Sequence, residues 1–312
     1  MITYKHEPYI AQAIEGVLMQ ETDFPVELVI GEDCSTDNTR KICEDYARRF
    51  PDKIRLLARE RNLGMCENFL QTIRACNGEY VAFCEGDDYW IKKQKLSEQV
   101  EFLAANPHYS GACSSVYLQQ SDSKHLRPQL LHRELENEED VTLVRLLENF
   151  TLHTATFMCR RSALSLNVFA KGAPAMDIGV FLVCLDVGNV RFFNSPDVVY
   201  RGHTGGVTYK REFFRFYEMV LIFLDYFDEI TDFKYLEHTA NKRRRLKFYS
   251  AINSPESSTA SKLLRLVRYC FVNRREISVL EAKNILGLAF PWAVSAISKF
   301  RRRGLDETIV TT

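Results

Sequence analysis

Residues 79–90 read Glu-Tyr-Val-Ala-Phe-Cys-Glu-Gly-Asp-Asp-Tyr-Trp. The apolar run from Tyr80 to Cys84 is long enough for one strand buried on both faces and too short for a helix. It stops at acid: Glu85, Asp87 and Asp88 follow at once, and Gly86 between them removes a side chain so that a ligand or another backbone can come close. Carboxylates are hard oxygen ligands, and Mg²⁺ or Mn²⁺ is held by one or two of them while phosphates and water complete the shell. In open α/β sheets, ligands bind off the carboxyl ends of the strands. An acidic cluster there suggests a metal-diphosphate site; a solvated acidic turn is the plainer reading, and context must decide.

Upstream, Met1 to Tyr4 looks like the tail of a strand, and Glu7-Pro8 opens a helix with apolar Ile10, Ala13, Ile14, Val17 and Leu18. Val26 to Ile30 is a second buried strand, Ile42 to Phe50 a helix, and Ile54 to Leu57 a third strand. Cys66, Phe69, Leu70 and Ile73 mark a helix that ends near Asn77-Gly78. With Tyr80 to Cys84, strand and helix alternate four times, the signature of a parallel sheet covered on both faces.

Downstream, Gln94 to Ala105 is a helix and Ser110 to Leu118 a strand. Ser121 to Asp140 is polar enough for a long surface loop, Val141 to Asn149 is helical, and Thr154 to Cys159 is a strand. A small-residue loop at 171–176 leads to Asp177 and a buried helix from Ile178 to Val187. Strands at Val190 to Phe193 and Val198 to Tyr200 lead into Arg201-Gly202-His203-Thr204-Gly205-Gly206, and only helices are predicted from 211 to 303.

The chain has 312 residues, 46% of them hydrophobic, which is ample for a packed core. Its 41 basic and 41 acidic side chains cancel, so there is no overall bias toward nucleic acid. Nine cysteines include no Cys-x-x-Cys pair and lie mostly in apolar segments. That pattern argues for reduced thiols in a cytoplasmic setting, against zinc and against a disulfide framework. The first residues lack a signal-peptide pattern, and no apolar run approaches a membrane span.

Several strand ends carry polar residues that would converge on one ligand: Thr3, Asp33, Asp87 and Asp88. Ser35, Thr36 and Asp37 are good helix caps, and capping is compatible with a ligand role. Asp33 precedes them, where a carboxylate can accept hydrogen bonds from a nucleobase or ribose. Lys5 and His6 are assigned nothing.

The helix after Thr3-Tyr4, the run from Glu32 to Thr39, Asn62-Leu63-Gly64 followed by Asn68, and Glu85 to Trp90 together resemble an inverting family 2 glycosyltransferase of the GT-A fold. Their occurrence in order is far more specific than any one motif. The resemblance covers residues 1–207 and implies a mostly parallel, Rossmann-like central sheet followed by an all-helical region. It divides the chain into a nucleotide-sugar-binding half (1–107), an acceptor-side half (108–210) and a helical region (211–312). It also implies a nucleotide-diphosphate sugar donor, a divalent metal, Mn²⁺ or Mg²⁺, and an acceptor hydroxyl on a glycan or lipid-linked carrier, as in bacterial surface polysaccharide synthesis. Carried over by position, Thr3 and Asp33 hold the nucleoside, Asn62 also binds the donor, Asp87 and Asp88 hold metal and diphosphate, and His203 is a further metal ligand. Asp177 is the general base, although an aspartate there is also a good N-cap. Arg201 serves the phosphates or pairs with a surface acid, and Gly205-Gly206 suggests a loop that closes over the donor.

The sequence departs from that pattern at Glu32 and Glu85, where aspartate is usual, and at Lys5, where asparagine is common. The first strand is also short: several more residues are expected ahead of Thr3, either upstream of Met1 or lost at some cost in stability. The basic, partly apolar tail (242–303) suits either a solvated face with a buried stripe or an anionic membrane surface on the inner face of the cell membrane. A sugar nucleotidyltransferase and a catalytically inactive nucleotide- or glycan-binding module are the alternatives. The former is disfavoured because no Gly-rich loop with a following Arg or Lys comes after the first strand of this chain.

Overall fold

The computed structural model describes residues 1–120, 126–129, 139–148, 152–165, 169, 177–206 and 213–253. Helices α1 (Ile10–Leu18), α2 (Thr39–Arg49) and α3 (Met65–Arg74) alternate with strands β1 (Ile2–Thr3), β2 (Leu28–Glu32) and β3 (Ile54–Ala58). The three strands form a parallel sheet in that order. All of β2 is buried, which is why it reads as an unbroken run rather than an alternation.

The fourth predicted strand behaves differently. β4 (Tyr80–Ala82) pairs antiparallel with β9 (Met158–Arg160) in a second, mixed sheet, and touches the parallel one through a single bridge, Ile2 to Glu85. Within that sheet β6 (Tyr109–Gln120) and β10 (Asn189–Gly202) run parallel over most of their length, with β5 (Tyr89–Trp90) beyond β10. The two strands predicted around Asn194 to Asp197 are one strand, whose register shifts at that polar segment without ending the ladder. The predicted surface loop at 121–140 contributes β7 (Leu126–Gln129) and the start of β8 (Glu139–Val141), because β6 and β10 each have an edge to pair. Thr154–Thr156 is a 3₁₀ turn rather than strand.

α1 packs Ile10, Ala13, Ile14 and Val17 against Leu28, Ile30 and Trp90, while α4 (Lys95–Ala105) adds Leu96 and Leu103. Complete burial of Ile10 and Ile14 contributes roughly 1.5–3 kcal/mol each. Lys95 is wholly buried, its Nζ held by Gln99 Oε1 (2.8 Å) and the Thr156 carbonyl (3.0 Å) above the Trp90 ring.

α5 (Leu143–Glu148) precedes α6 (Asp177–Val187), which is buried along residues 179–185. α7 (Phe213–Ile230) approaches it closely at Gly179, where any Cβ would fall 2.7 Å from the Phe223 ring. One compact unit spans Met1–Arg243. The second, Arg244–Thr312, is described only to residue 253, within α8 (Leu236–Asn253). No helix among the described residues is long and apolar enough to cross a membrane. The basic tail beyond 253, the loop at 171–176 and the segment after Gly206 lie outside the described residues.

Candidate active site

Thr3, Asp33 and the 85–88 loop lie at the carboxyl ends of β1, β2 and β4. The loop after β1 is fastened to the loop after β2: Lys5 N–H donates to Ser35 Oγ (3.0 Å), His6 N–H to Thr39 Oγ1 (2.9 Å), and Asn38 donates twice to the Glu7 carboxylate. The hydroxyls and amides of the 35–39 run thus hold the other loop more than they cap α2; Thr39 N–H goes to Asp37 Oδ1 (3.1 Å). Lys5 takes a left-handed conformation (φ 57°) to make this turn.

Asp33 is buried, and its two carboxylate oxygens accept the backbone N–H groups of Leu63 (2.7 Å) and Gly64 (3.0 Å). Asn62 Nδ2 donates to the Asp33 carbonyl (3.0 Å). Asp33, predicted to touch the nucleoside, and Asn62, predicted to bind the donor, therefore also build the loop that enters α3, where Gly64 supplies a positive φ of 82°. Glu32 is sealed inside, accepting from Ser35 N–H (2.6 Å) and Arg40 Nε (2.6 Å).

At Gly86 the missing side chain makes room for neighbours within the protein: a Cβ would lie 2.6 Å from Thr3 Oγ1 and 2.9 Å from His6 Nδ1. Thr3 Oγ1, His6 Nδ1 and Glu85 Oε2 are buried without a hydrogen-bond partner. Buried polar atoms are normally paired. Three orphans around one loop mark a place where a ligand's groups can complete the set.

Asp87 and Asp88 face different ways. Asp87 Oδ2 sits 3.0 Å from His203 Nε2 and 3.7 Å from His6 Nε2. Burial pushes the Asp87 carboxyl up, but the His203 hydrogen bond and the His6 and His203 charges outweigh it and hold it below the ordinary value. Asp88 turns inward, Oδ1 accepting the Arg201 N–H (2.9 Å), and burial, then the charges of Asp87 and Glu85, raise its pKa well above the usual range. Glu85 is pushed up to about 8, by burial first and Asp87 second.

Arg201, near the end of β10, donates Nη1 to the Asp87 carbonyl (2.7 Å) and Nη2 to Gln12 Oε1, and lies over the Tyr89 ring at 4.2 Å. It clamps the acidic loop through the backbone instead of pairing with a surface acid. Its neighbour His203 is buried against Tyr9, and a turn closed by Gly206 N–H to the His203 carbonyl (3.0 Å) follows.

Asp177 opens α6, its Oδ1 accepting its neighbour Ile178's N–H (2.7 Å). Burial raises its carboxyl, opposed by that bond and by one to Thr154, and its charge in turn raises Glu85. Its carboxylate thus serves the first turn of the helix it opens.

Sequence reasoning missed His6 and the Arg201 clamp. A polar side chain directly past the first strand's carboxyl end was the available signal for His6. Nothing local points Arg201 at residue 87. The Asp87 carboxylate is a hard oxygen ligand of the type that suits Mn²⁺ or Mg²⁺, and His203 Nε2 lies 3.0 Å from it as a second donor. Among the described residues no group of three His, Cys, Asp or Glu side chains forms a metal set. An ion held there would complete its shell with ligand oxygens and water.

Residues 1–166 match the family model described as Glycosyl transferase family 2. An uncharacterized protein of Mycobacterium tuberculosis is 46% identical over 106 residues, 34% of this chain and 31% of that protein. The dTDP-rhamnosyl transferase RfbG of Shigella flexneri is 31% identical over 110 residues, 34% of this chain and 37% of its own length. The chain thus spans about a third of the curated relatives it matches. Two solved structures share the fold. S. aureus TarS 1-349 in complex with UDP-GlcNAc has a TM-score of 0.57 at 19% identity, over 92% of this chain and 88% of that one. The mannosyltransferase PcManGT from Pyrobaculum calidifontis in complex with GDP-Man and Mn²⁺ has a TM-score of 0.56 at 18% identity, over 94% and 80%.

Proposed function

The chain belongs to glycosyl transferase family 2, and from that membership we propose that it is an inverting transferase moving a sugar from a nucleotide diphosphate to an acceptor hydroxyl. The observation that carries the reading is the gathering of Thr3, Asp87 and His203 around Gly86 at the strand ends, with buried polar atoms still lacking partners. Thr3 and the Asp33–Asn62 loop hold the nucleoside side. Asp87 and His203 hold a divalent metal with the diphosphate. Asp88 accepts the Arg201 N–H, and the Arg201 guanidinium in turn holds the Asp87 carbonyl, which keeps Asp87 in place. The metal supplies Lewis acidity to the leaving diphosphate. Asp177 takes the proton of the acceptor hydroxyl as its oxygen bonds the anomeric carbon, and the bond to the diphosphate breaks on the opposite side. A carboxyl raised by burial is a better proton acceptor once ionised.

Named neighbours carry UDP-GlcNAc or GDP-Man, and one relative is a dTDP-rhamnosyl transferase. UDP, GDP and dTDP are therefore the nucleotides to test. The acceptor we favour is a surface glycan or its lipid-linked precursor on the cytoplasmic side, with the basic stretch 242–303 resting on the membrane. Within that stretch Arg243 is already engaged, at 2.6 Å from Asp228 and 3.0 Å from Asp225.

Calorimetry with each nucleotide, in Mn²⁺ and in chelator, tests the donor site. Metal-dependent binding of one nucleotide, weakened at least tenfold in Asp87→Ala, is expected. A folded protein that binds none of them would overturn the transferase reading in favour of a module that kept the fold alone.

A further inference from the structure

The 3₁₀ turn Thr154–Thr156 is gripped by the segment that carries the acidic loop. Trp90 Nε1 donates to the Ala155 carbonyl (2.8 Å), and Lys95 Nζ (3.0 Å) and Gln99 Nε2 (2.9 Å) both donate to the Thr156 carbonyl. Phe83 N–H donates to the Phe157 carbonyl (3.0 Å). Three successive carbonyls are thus held from residues 83–99, on either side of Glu85, Asp87 and Asp88.

Lys95 and Gln99 lie one turn apart on α4, both buried, and Lys95 Nζ also donates to Gln99 Oε1 (2.8 Å). A buried ammonium is costly unless it is paired. Burial lowers the Lys95 pKa, and the charge of Asp197, itself buried in β10 and hydrogen-bonded by Ser114 Oγ, opposes that. A cation and an amide from one helix, both on one carbonyl oxygen, fix the turn's distance and direction together.

On its other side the turn meets α6. The buried Thr154 side chain hydrogen-bonds the Asp177 carboxylate. One helical turn further along, the Phe181 ring packs edge-on against Phe157 (centroids 5.0 Å apart, 85° between planes). The direction of the Asp177 side chain therefore depends on where the turn stands, and the turn stands where Trp90, Lys95 and Gln99 hold it.

We propose that Lys95 and Gln99, with Trp90, are positioning residues for Asp177: they fix the turn whose Thr154 side chain aims the Asp177 carboxylate. The role rests on the reading of Asp177 as general base. It references that base and the 85–88 acids to one rigid stretch of chain, and an in-line displacement needs both held in a fixed mutual geometry. A buried ion pair that served only the register of the fold would leave Asp177 indifferent to these side chains.

Two readouts test this in the full chain. Release of nucleotide from UDP-GlcNAc, GDP-Man and dTDP-rhamnose in Mn²⁺, with water as acceptor, reports the base. Amide exchange at Ile178, whose N–H is bonded to the Asp177 carboxylate, reports the coupling without turnover. Gln99→Met leaves Lys95 and Asp197 in place. It should cut release by roughly ten- to a hundredfold while calorimetric affinity for UDP, GDP or dTDP stays within about twofold. Thr154→Val should do the same, and Thr154→Ser, which keeps the hydroxyl, should restore release. The Gln99→Met, Thr154→Val double variant should be no slower than Thr154→Val alone, because both changes break one chain of contacts. Exchange at Ile178 should quicken at least about fivefold in Gln99→Met, in Thr154→Val and in Trp90→Phe, with Ile30 in β2 unchanged. Losses that multiply in the double variant, or unchanged Ile178 exchange in both Gln99→Met and Trp90→Phe, would overturn the proposal. Release at the parent rate in Asp177→Asn is a separate failure, that of the base reading itself, and removes the positioning role with it.

Discussion

The end of β2 with the loop after it and the loop after β4 each carry three acids, and the protein treats them in opposite ways. After β2, every acid is answered from within: Glu32 by Ser35 and Arg40, Asp33 by Leu63 and Gly64, Asp37 by Glu7 and Thr39 backbone. After β4, Glu85 keeps an unpartnered oxygen, Asp87 stands between two imidazoles, and Asp88 is buried with a raised pKa. The first loop is scaffold, with its electrostatics settled. The second crowds buried carboxyls whose ionisation the fold opposes, a condition that a bound cation would relieve.

The largest expected effect strikes the chemistry alone. Asp177→Asn should keep nucleotide affinity within about twofold and cut turnover by roughly 10²–10⁴, the usual worth of a general base. Single-turnover assays beside calorimetry separate the two, and a variant that loses binding in step with turnover would reassign Asp177 to the donor site.

Next comes the contrast between the loops. Asp33→Ala leaves two backbone N–H groups unpaired and should cost about 2–3 kcal/mol in urea unfolding. Asp87→Asn, which keeps a hydrogen bond to His203, should change stability by less than about 1 kcal/mol while weakening nucleotide binding at least tenfold. Equal stability losses at both positions would erase the distinction between scaffold and site.

The acid limb of the rate sharpens it further. Asp177 must be ionised to accept a proton, and burial raises its pKa. kcat/KM should therefore fall as pH drops through a midpoint above the ordinary aspartate value. Stability runs the other way: a carboxyl whose folded pKa is raised favours folding while protonated. That contribution is full below the unfolded pKa and is lost as pH rises through the folded one. Asp177→Asn should then melt no lower than the parent at neutral pH.

The smallest effect is at Lys5, whose left-handed backbone disfavours a side chain with a Cβ. Lys5→Gly or Lys5→Asn should gain about 0.5–1 kcal/mol, read as a slight rise in melting temperature with nucleotide affinity unchanged.

Much of this was legible in the chain. Three parallel strands, their helices, the acidic stop after Cys84 and the buried helix from Asp177 follow from apolar runs, glycine and proline punctuation and periodicity, all local signals. The partner of β4 was not legible, because a short apolar run pairs equally well in either direction and β9 lies some eighty residues on. Nor were the strands hidden in 121–140, where long β6 and β10 edges recruit polar sequence that shows no strand pattern of its own.

By itself, the sequence determined the alternating α/β core, the family, and the acids that would gather at the strand ends, because strand length, apolar continuity and Gly86 act within a few residues. Only the tertiary structure decided that Asp87 meets His203 while Asp88 turns to Arg201, that His6 joins them, and that Asp33 serves the 62–64 loop. Those outcomes depend on which groups from distant segments desolvate or pair with each side chain, and neighbouring residues with the same chemistry carry no local mark of the difference.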